Sequence, residues 1–186
     1  MLVFPMLQTE RLVLREINTS DKKEIFTCFS NSQLLRFYGM EQMKAVTDAE
    51  QLINAFAFNF KEKKGIRWGI ELKETNQLIG TIGFNLWMPK HKRAEVGYEI
   101  LPQYWGQGYA KEALREVVYY GFETMQLSRI GAVVFIENDR SNHLLTKFGF
   151  QREGVLRNYM VQNNQSFDTY VYSLLKTECR EPKTGQ

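Results

Sequence analysis

The chain has 186 residues, 44% of them hydrophobic and 24% charged, and a formal net charge of +3. That length suits one domain with ample core, and so small a positive balance suits an anionic small molecule better than nucleic acid. Cys28, Cys179, His91 and His143 stand in no ligand or disulfide spacing, which argues against a metal centre, and no run approaches the ~18 apolar residues of a membrane span.

The apolar start, residues 1–7, is short, lacks a basic leader and is interrupted by Pro5, so a cytoplasmic protein is the default reading. Alternation of Leu12, Leu14 and Glu16 with Val13, Arg15 and Ile17 predicts a first strand over 9–17. Residues 18–21, Asn-Thr-Ser-Asp, supply N-cap candidates for a helix carrying Ile25, Phe26 and Phe29. Thr47 to Glu50 matches a capping box, and Leu52, Ile53, Phe56, Ala57 and Phe60 recur behind it at helical spacing to about Lys63. Phe56, Phe58 and Phe60 cannot all face one way, so at least one is left for a pocket or partner.

Residues 66–72 read as a strand, 74–77 as a hairpin turn and 78–87 as the returning strand. A polar, basic loop (88–93) leads to a strand over 94–101, a glycine-bearing loop and a helix whose inner face is Ala113, Leu114, Val117, Val118 and Gly121. A β-rich run over 130–136 precedes a short helix, 138–148, stopped by Gly149. Two strands close the chain, near 151–161 and 167–175, joined by a turn at 162–165. There is no internal repeat. The order β-αα-βββ-α-β-α-ββ predicts an α/β (α+β) domain, a mixed and mostly antiparallel twisted sheet flanked by helices. It spans 1–178, with a polar, frayed tail at 179–186.

The most informative segment is Leu101 to Ala110, Leu-Pro-Gln-Tyr-Trp-Gly-Gln-Gly-Tyr-Ala, between a strand and a helix. Glycines there admit a ligand close to the backbone, and the helix start offers unpaired N–H groups to a phosphate. A Walker loop needs Lys-Ser/Thr after the glycine, where this chain has Tyr109. A dinucleotide fingerprint needs a third glycine where this chain has Lys111, and an antiparallel region precedes the loop. A plain glycine-rich turn stays open on these residues alone.

The loop resembles the acetyl-CoA motif of the GNAT N-acetyltransferase superfamily, Gln/Arg-x-x-Gly-x-Gly/Ala, with Gly108 and Ala110 in the last two positions and Trp105 departing at the first. Its form here is similar to that of the RimJ/RimL ribosomal-protein acetyltransferase branch. Residues 7–15, Leu-Gln-Thr-Glu-Arg-Leu-Val-Leu-Arg, resemble the same branch, as do 94–98, 138–141, 147–150 and 172–175, in the family's order. The resemblance implies a single GNAT domain that transfers acetyl from acetyl-CoA to a primary amine in a ternary complex. The acceptor it suggests is a protein N-terminus; a free amino acid, polyamine or antibiotic amine is open, as is a non-catalytic acyl-CoA-binding module. It implies no metal, nucleic acid or membrane, and the long apolar helices are compatible with a homodimer.

By the same resemblance, Gly106, Gln107, Gly108, Tyr109 and Ala110 hold the pyrophosphate through backbone N–H groups, with side chains at 106 or 108 excluded by crowding. Lys111 either reaches a phosphate or is solvated. The pantetheine arm pairs with backbone around 99–101, Leu101 included, and with the strand 130–136. Glu95 matches the strand glutamate that serves as general base. The tyrosine that many members carry seven residues after the asparagine is Leu145 here; Ser141, three residues after the asparagine where the RimL-like branch carries a serine, either turns its hydroxyl to the sulfur or is a small residue that lets the short helix pack on the cofactor. Asn138 either bonds the pantetheine arm or caps its helix. A backbone N–H near 98–101 supplies the oxyanion site. Phe84, Trp87, Trp105 and Tyr159 are candidates for an acceptor pocket, whose wall is the helix 47–63 and the loop 37–44; the basic loop 90–93 beside the site reads as solvated.

Overall fold

A computed structural model of the chain describes residues 3–179. The expected tail therefore lies outside the described residues, except for Cys179. The first strand is two: β1 (Leu7–Gln8) and β2 (Leu12–Glu16) form a tight hairpin, with Leu7 opposite Leu14. The corner is made by Thr9, whose N–H donates to the Leu12 carbonyl (3.0 Å) while its hydroxyl accepts from the Leu12 N–H (2.9 Å). Only from Leu12 on does the alternation describe one strand, Leu12 and Leu14 being fully buried.

Helix α1 (Lys22–Phe29) follows a 3-10 turn capped by Asn18, whose side chain accepts from Ser20 N–H (3.0 Å). Helix α2 (Val46–Lys61) starts one residue before the predicted box. Thr47 falls inside its first turn, and Asp48 reaches back to the N–H groups of Lys44 and Ala45 (2.9 and 3.0 Å). Those bonds outweigh the opposing effect of burial and hold the Asp48 carboxyl below the usual carboxylate range. Phe58 is the phenylalanine of the trio that stays out, 55% exposed.

Strands β3 (Ile66–Leu72), β4 (Leu78–Met88) and β5 (Arg93–Ile100) form an antiparallel meander. Helix α3 (Tyr109–Glu123) crosses to β6 (Arg129–Phe135), and α4 (Asp139–Phe148) leads to β7 (Gln151–Gln162) and β8 (Gln165–Leu175). The β7–β8 turn is Asn163-Asn164, both left-handed (φ 51° and 58°), as a two-residue hairpin requires. The strands make one eight-stranded sheet in the order β1-β2-β3-β4-β5-β6-β8-β7, in which β5–β6 is the parallel pair. Helices α3 and α4 cover one face through Ala113, Leu114, Val117, Phe122 and Leu145. On the opposite side, α1 and α2 build a second core with Ile25, Phe29, Ala49 and Ile53.

Candidate active site

The parallel pair is short. β5 and β6 are in register only at Arg93–Arg129, Ala94–Ile130 and Glu95–Gly131, and then they part. Backbone groups alternate between the two edges of a strand. The Leu101 N–H donates to Ile79 O on the β4 side (2.8 Å), whereas Lys92 O accepts from Ser128 N on the β6 side (2.7 Å). Even-numbered residues of β5 thus turn their N–H and C=O toward β6, and past Glu95 the groups of Val96 and Tyr98 face the opening. Ile100 O is taken by the Trp105 indole N–H (2.6 Å). The predicted pantetheine edge at 99–101 therefore moves upstream. Leu101 has both backbone groups occupied, its carbonyl by Tyr104 N–H (2.9 Å), and its side chain is buried in the α1–α2 core.

The opening is a cleft of about 240 Å³ whose walls include Glu95, Tyr98, Asn138 and Ser141, four residues brought together from β5 and α4. Phe37 and Tyr38 of the 37–44 loop line it too, with Phe135 and Met160. The aromatic candidates are elsewhere. Phe84 is core against Trp68, Trp87 packs against the main core, and Tyr159 is half exposed.

Glu95 sits at the apex, where the strands separate, between Asn85 on β4 and Gly131 on β6. With no side chain at Gly131, the Glu95 Cγ lies 3.3 Å from where a Cβ would stand. Burial pushes the Glu95 carboxyl above its usual range, against the pull of the Arg93 and Arg129 guanidiniums. Arg129 is itself engaged by Glu153.

Ser141 is presented by the first turn of α4, where Asn138 is the N-cap and its Oδ1 accepts the Ser141 N–H (3.2 Å). That bond is the capping alternative for Asn138. The Ser141 hydroxyl meets the Tyr98 hydroxyl at 2.7 Å, and burial pushes Tyr98 up to about 12. Leu145 is fully buried in the core. Tyr98 is thus the aromatic hydroxyl that meets Ser141, delivered by the strand rather than by α4.

At the glycine loop, Gly106 (φ 77°) and Gly108 (φ 85°) are both left-handed, and the first bond inside α3 runs from Glu112 N–H to Gly108 O (3.0 Å). No side chain caps this helix, so its first N–H groups, Tyr109 to Lys111, are left for a ligand. A Cβ at Gly106 would meet no protein atom within 4 Å, so within the fold it is the positive φ that favours glycine there. Lys111 is exposed, and the Gln107 amide bonds back to Gln103 O (3.0 Å). The Trp105 ring carries the Arg140 guanidinium 4.3 Å above it. These open donors fit a pyrophosphate, and the unpaired edge of β5 fits an extended, amide-bearing arm.

Two clusters were not foreseen from sequence. Arg11 of the β1–β2 corner binds Glu112 in the first turn of α3 and stacks on Tyr109. Beneath the cleft, buried Arg67 bonds Glu99, Thr81 (2.7 Å), Gly97 O (3.0 Å) and the Tyr38 hydroxyl (3.1 Å). Arg67 and Glu99 alternate with apolar neighbours in strand-like runs and Glu112 sits in a helical one, and in both clusters the partners lie far off in sequence. Among the described residues no group of three or more His, Cys, Asp or Glu is placed to hold a metal, and no helix is long and apolar enough to cross a membrane.

Residues 11–151 match the family model of the acetyltransferase (GNAT) domain. The "uncharacterized N-acetyltransferase YoaA" of Bacillus subtilis is 54% identical over 174 residues, 94% of this chain and 98% of that protein. A spermidine N-acetyltransferase from Vibrio cholerae, solved with CoA and spermine, superposes with a TM-score of 0.80 at 24% identity, covering 90% of this chain and 97% of that one. RimL, a ribosomal L7/L12 α-N-protein acetyltransferase solved with CoA, superposes with a TM-score of 0.85 at 18% identity, covering 92% and 98%. The two structures speak to the fold.

Proposed function

The chain belongs to the GNAT acetyltransferase family, and on that premise we propose that it transfers acetyl from acetyl-CoA to a primary amine, a protein N-terminal α-amine first among them, by direct attack in a ternary complex. The observation that carries this reading is Glu95, a carboxylate held by no hydrogen bond or ion pair among the described residues, at the apex of the β5–β6 opening and in one cleft with Ser141. When bound, acetyl-CoA supplies an acetyl group on a thioester.

The N–H groups from Gly106 to Lys111 hold the pyrophosphate, and the Lys111 ammonium adds charge beside them. The open backbone groups of Val96 and Tyr98 take the pantetheine arm as an added strand and offer the oxyanion donor, with Asn138 alongside. An ammonium has no lone pair, so the acceptor must lose a proton first. An α-amine, with a pKa of about 8, needs only a modest base, and Glu95 serves directly or through water. As the C–N bond forms and the C–S bond breaks, the Ser141 hydroxyl stabilises the departing sulfur by a hydrogen bond. An acyl-enzyme has no support from Cys28, which is fully buried and whose thiol burial pushes up to about 12.

A polyamine acceptor is a second reading, favoured by the charge of the cleft. Arg67 and Glu95 are the charged residues of the lining, and Arg67 is paired with Glu99 behind it, so Glu95 is the lining charge left to meet a polycation. Thiol release from acetyl-CoA with a panel of N-terminal peptides, spermidine and free amino acids tests both. Release with peptides supports the first reading and release with spermidine the second. No release with any amine, alongside intact CoA binding, identifies a non-catalytic binding module instead.

A further inference from the structure

Arg11 and Glu112 stand 101 residues apart in sequence, yet they make the densest polar contact around the glycine loop. Glu112 is the acidic residue in the first turn of α3. Its Oε1 accepts the Thr9 hydroxyl (2.6 Å) and the Arg11 N–H (2.8 Å), and its Oε2 accepts Arg11 Nε (2.7 Å) and Nη2 (2.6 Å). From the same guanidinium, Nη1 donates to Gln107 O (3.0 Å). The guanidinium lies 4.4 Å above the Tyr109 ring, and its Nη2 is 3.4 Å from where a Gly108 Cβ would stand. Arg11 thus touches Gln107 in the loop and Tyr109 and Glu112 in the first turn of α3 while belonging to another element.

Two consequences follow from elementary geometry and charge. In a trans peptide the carbonyl of one residue and the N–H of the next point in opposite directions. Holding the Gln107 carbonyl toward Arg11 therefore turns the Gly108 N–H the other way, away from the hairpin. A carboxylate in the first turn also suits the helix dipole but repels any anion arriving at the same terminus. Paired with Arg11 through Oε2, the Glu112 charge is neutralised where a phosphate must approach. Burial pushes the Glu112 carboxyl up, and the Thr9 and Arg11 hydrogen bonds more than offset it, leaving the group below its usual range and ionised for the pair.

We infer that Arg11 is a positioning residue for the cofactor phosphates: by holding the Gln107 carbonyl and neutralising Glu112, it keeps the N–H groups of the glycine loop turned to the pyrophosphate. The inference rests on the proposed cofactor site at α3. It also gives the β1–β2 hairpin a place in cofactor binding, although the hairpin lies on the far side of the loop from the cleft.

The test is calorimetric binding of CoA and of dephospho-CoA, which keeps the pyrophosphate and lacks the 3′-phosphate, to the full-length protein and to R11A and R11K. Thermal unfolding of each ligand-free protein is measured alongside. Loss of a charge-assisted contact at the loop is expected to weaken R11A by about tenfold, by the same factor for both ligands. R11K, which keeps the charge and loses the guanidinium's simultaneous hold on Glu112 and the Gln107 carbonyl, should fall between wild type and R11A, and it carries the test if R11A does not fold. Wild-type binding with R11A and R11K both within about twofold of it, whatever their melting temperatures, overturns the inference and leaves the cofactor site intact. Failure of the wild type to bind CoA removes the cofactor site itself, and the inference with it.

Discussion

Glu95 and Glu99 project from the same face of one strand, about 13 Å apart at the rise of a β-strand. Glu99 is 5% exposed and pinned by Arg67 and Thr81. Glu95 lies at the mouth of a cleft with no such partners. What separates them is what stands on the neighbouring strands. Arg67 on β3 is in register with Gly83 on β4, and Gly83 with Gly97 on β5, so two missing side chains open a trough across the sheet for the guanidinium. A Cβ at Gly83 would come within 3.0 Å of Arg67 Cδ. Glu95 has Gly131 on its open side, and there the glycine leaves room without sending a partner. Glycine neighbours thus serve opposite ends: in one place they admit a counter-charge, in the other they keep a carboxylate reachable.

The contrast predicts that one glutamate matters to stability and the other to turnover. Glu99→Leu leaves a buried guanidinium unpaired and is expected to cost about 3–5 kcal/mol, read as a large fall in melting temperature. Glu95→Gln is expected to slow turnover by about a hundredfold with no loss of melting temperature at neutral pH. The sign follows from the shift: a carboxyl raised in the fold disfavours its own ionised form, so neutralising it removes no stability there. Ser141→Ala should slow turnover by about tenfold, with CoA affinity little changed. Gly108→Ala forces φ 85° on a residue with a Cβ and presses on Arg11 Nη2; a cost of about 1–2 kcal/mol should show as weaker CoA binding in calorimetry. A Glu95→Gln protein that melts far below Glu99→Leu would break the comparison at its root.

The sequence made the regular elements legible wherever local chemistry decides them. The meander from Ile66 to Ile100, the α3 face of Ala113 to Gly121, and the Asn163-Asn164 turn all stand as their patterns require. It misled where one side chain redirects the backbone. Thr9 folds a corner into an apparent strand, and α2 starts ahead of Thr47 with Asp48 reaching back to the N–H groups of Lys44 and Ala45. Leu101 could not be separated from Val96 and Tyr98 without the alternation of edges set by β4 and β6. Glu95 and Ser141 entered through resemblance, since their residue types alone specify no chemistry; the glycine loop read as a phosphate-admitting turn from its residues, and resemblance chose acetyl-CoA among the ligands. Arg11, Arg67 and Tyr98 stayed hidden because their partners at Glu112, Glu99 and Ser141 are 101, 32 and 43 residues away, and only the sheet order brings them together.

The central claim is that the unpaired carboxylate at the apex of the opened strands takes the acceptor's proton. The most direct measurement is the pH dependence of acetyl-CoA turnover for wild type and Glu95→Gln, on whichever amine the acceptor panel identifies, with CoA affinity measured in parallel. For the wild type, turnover should rise with pH through an acidic limb placed above the usual carboxylate range by burial of Glu95. The variant should bind CoA as well as wild type, turn over slowly, and lack that limb. An unchanged rate with the limb retained would contradict the account and move the base elsewhere in the cleft.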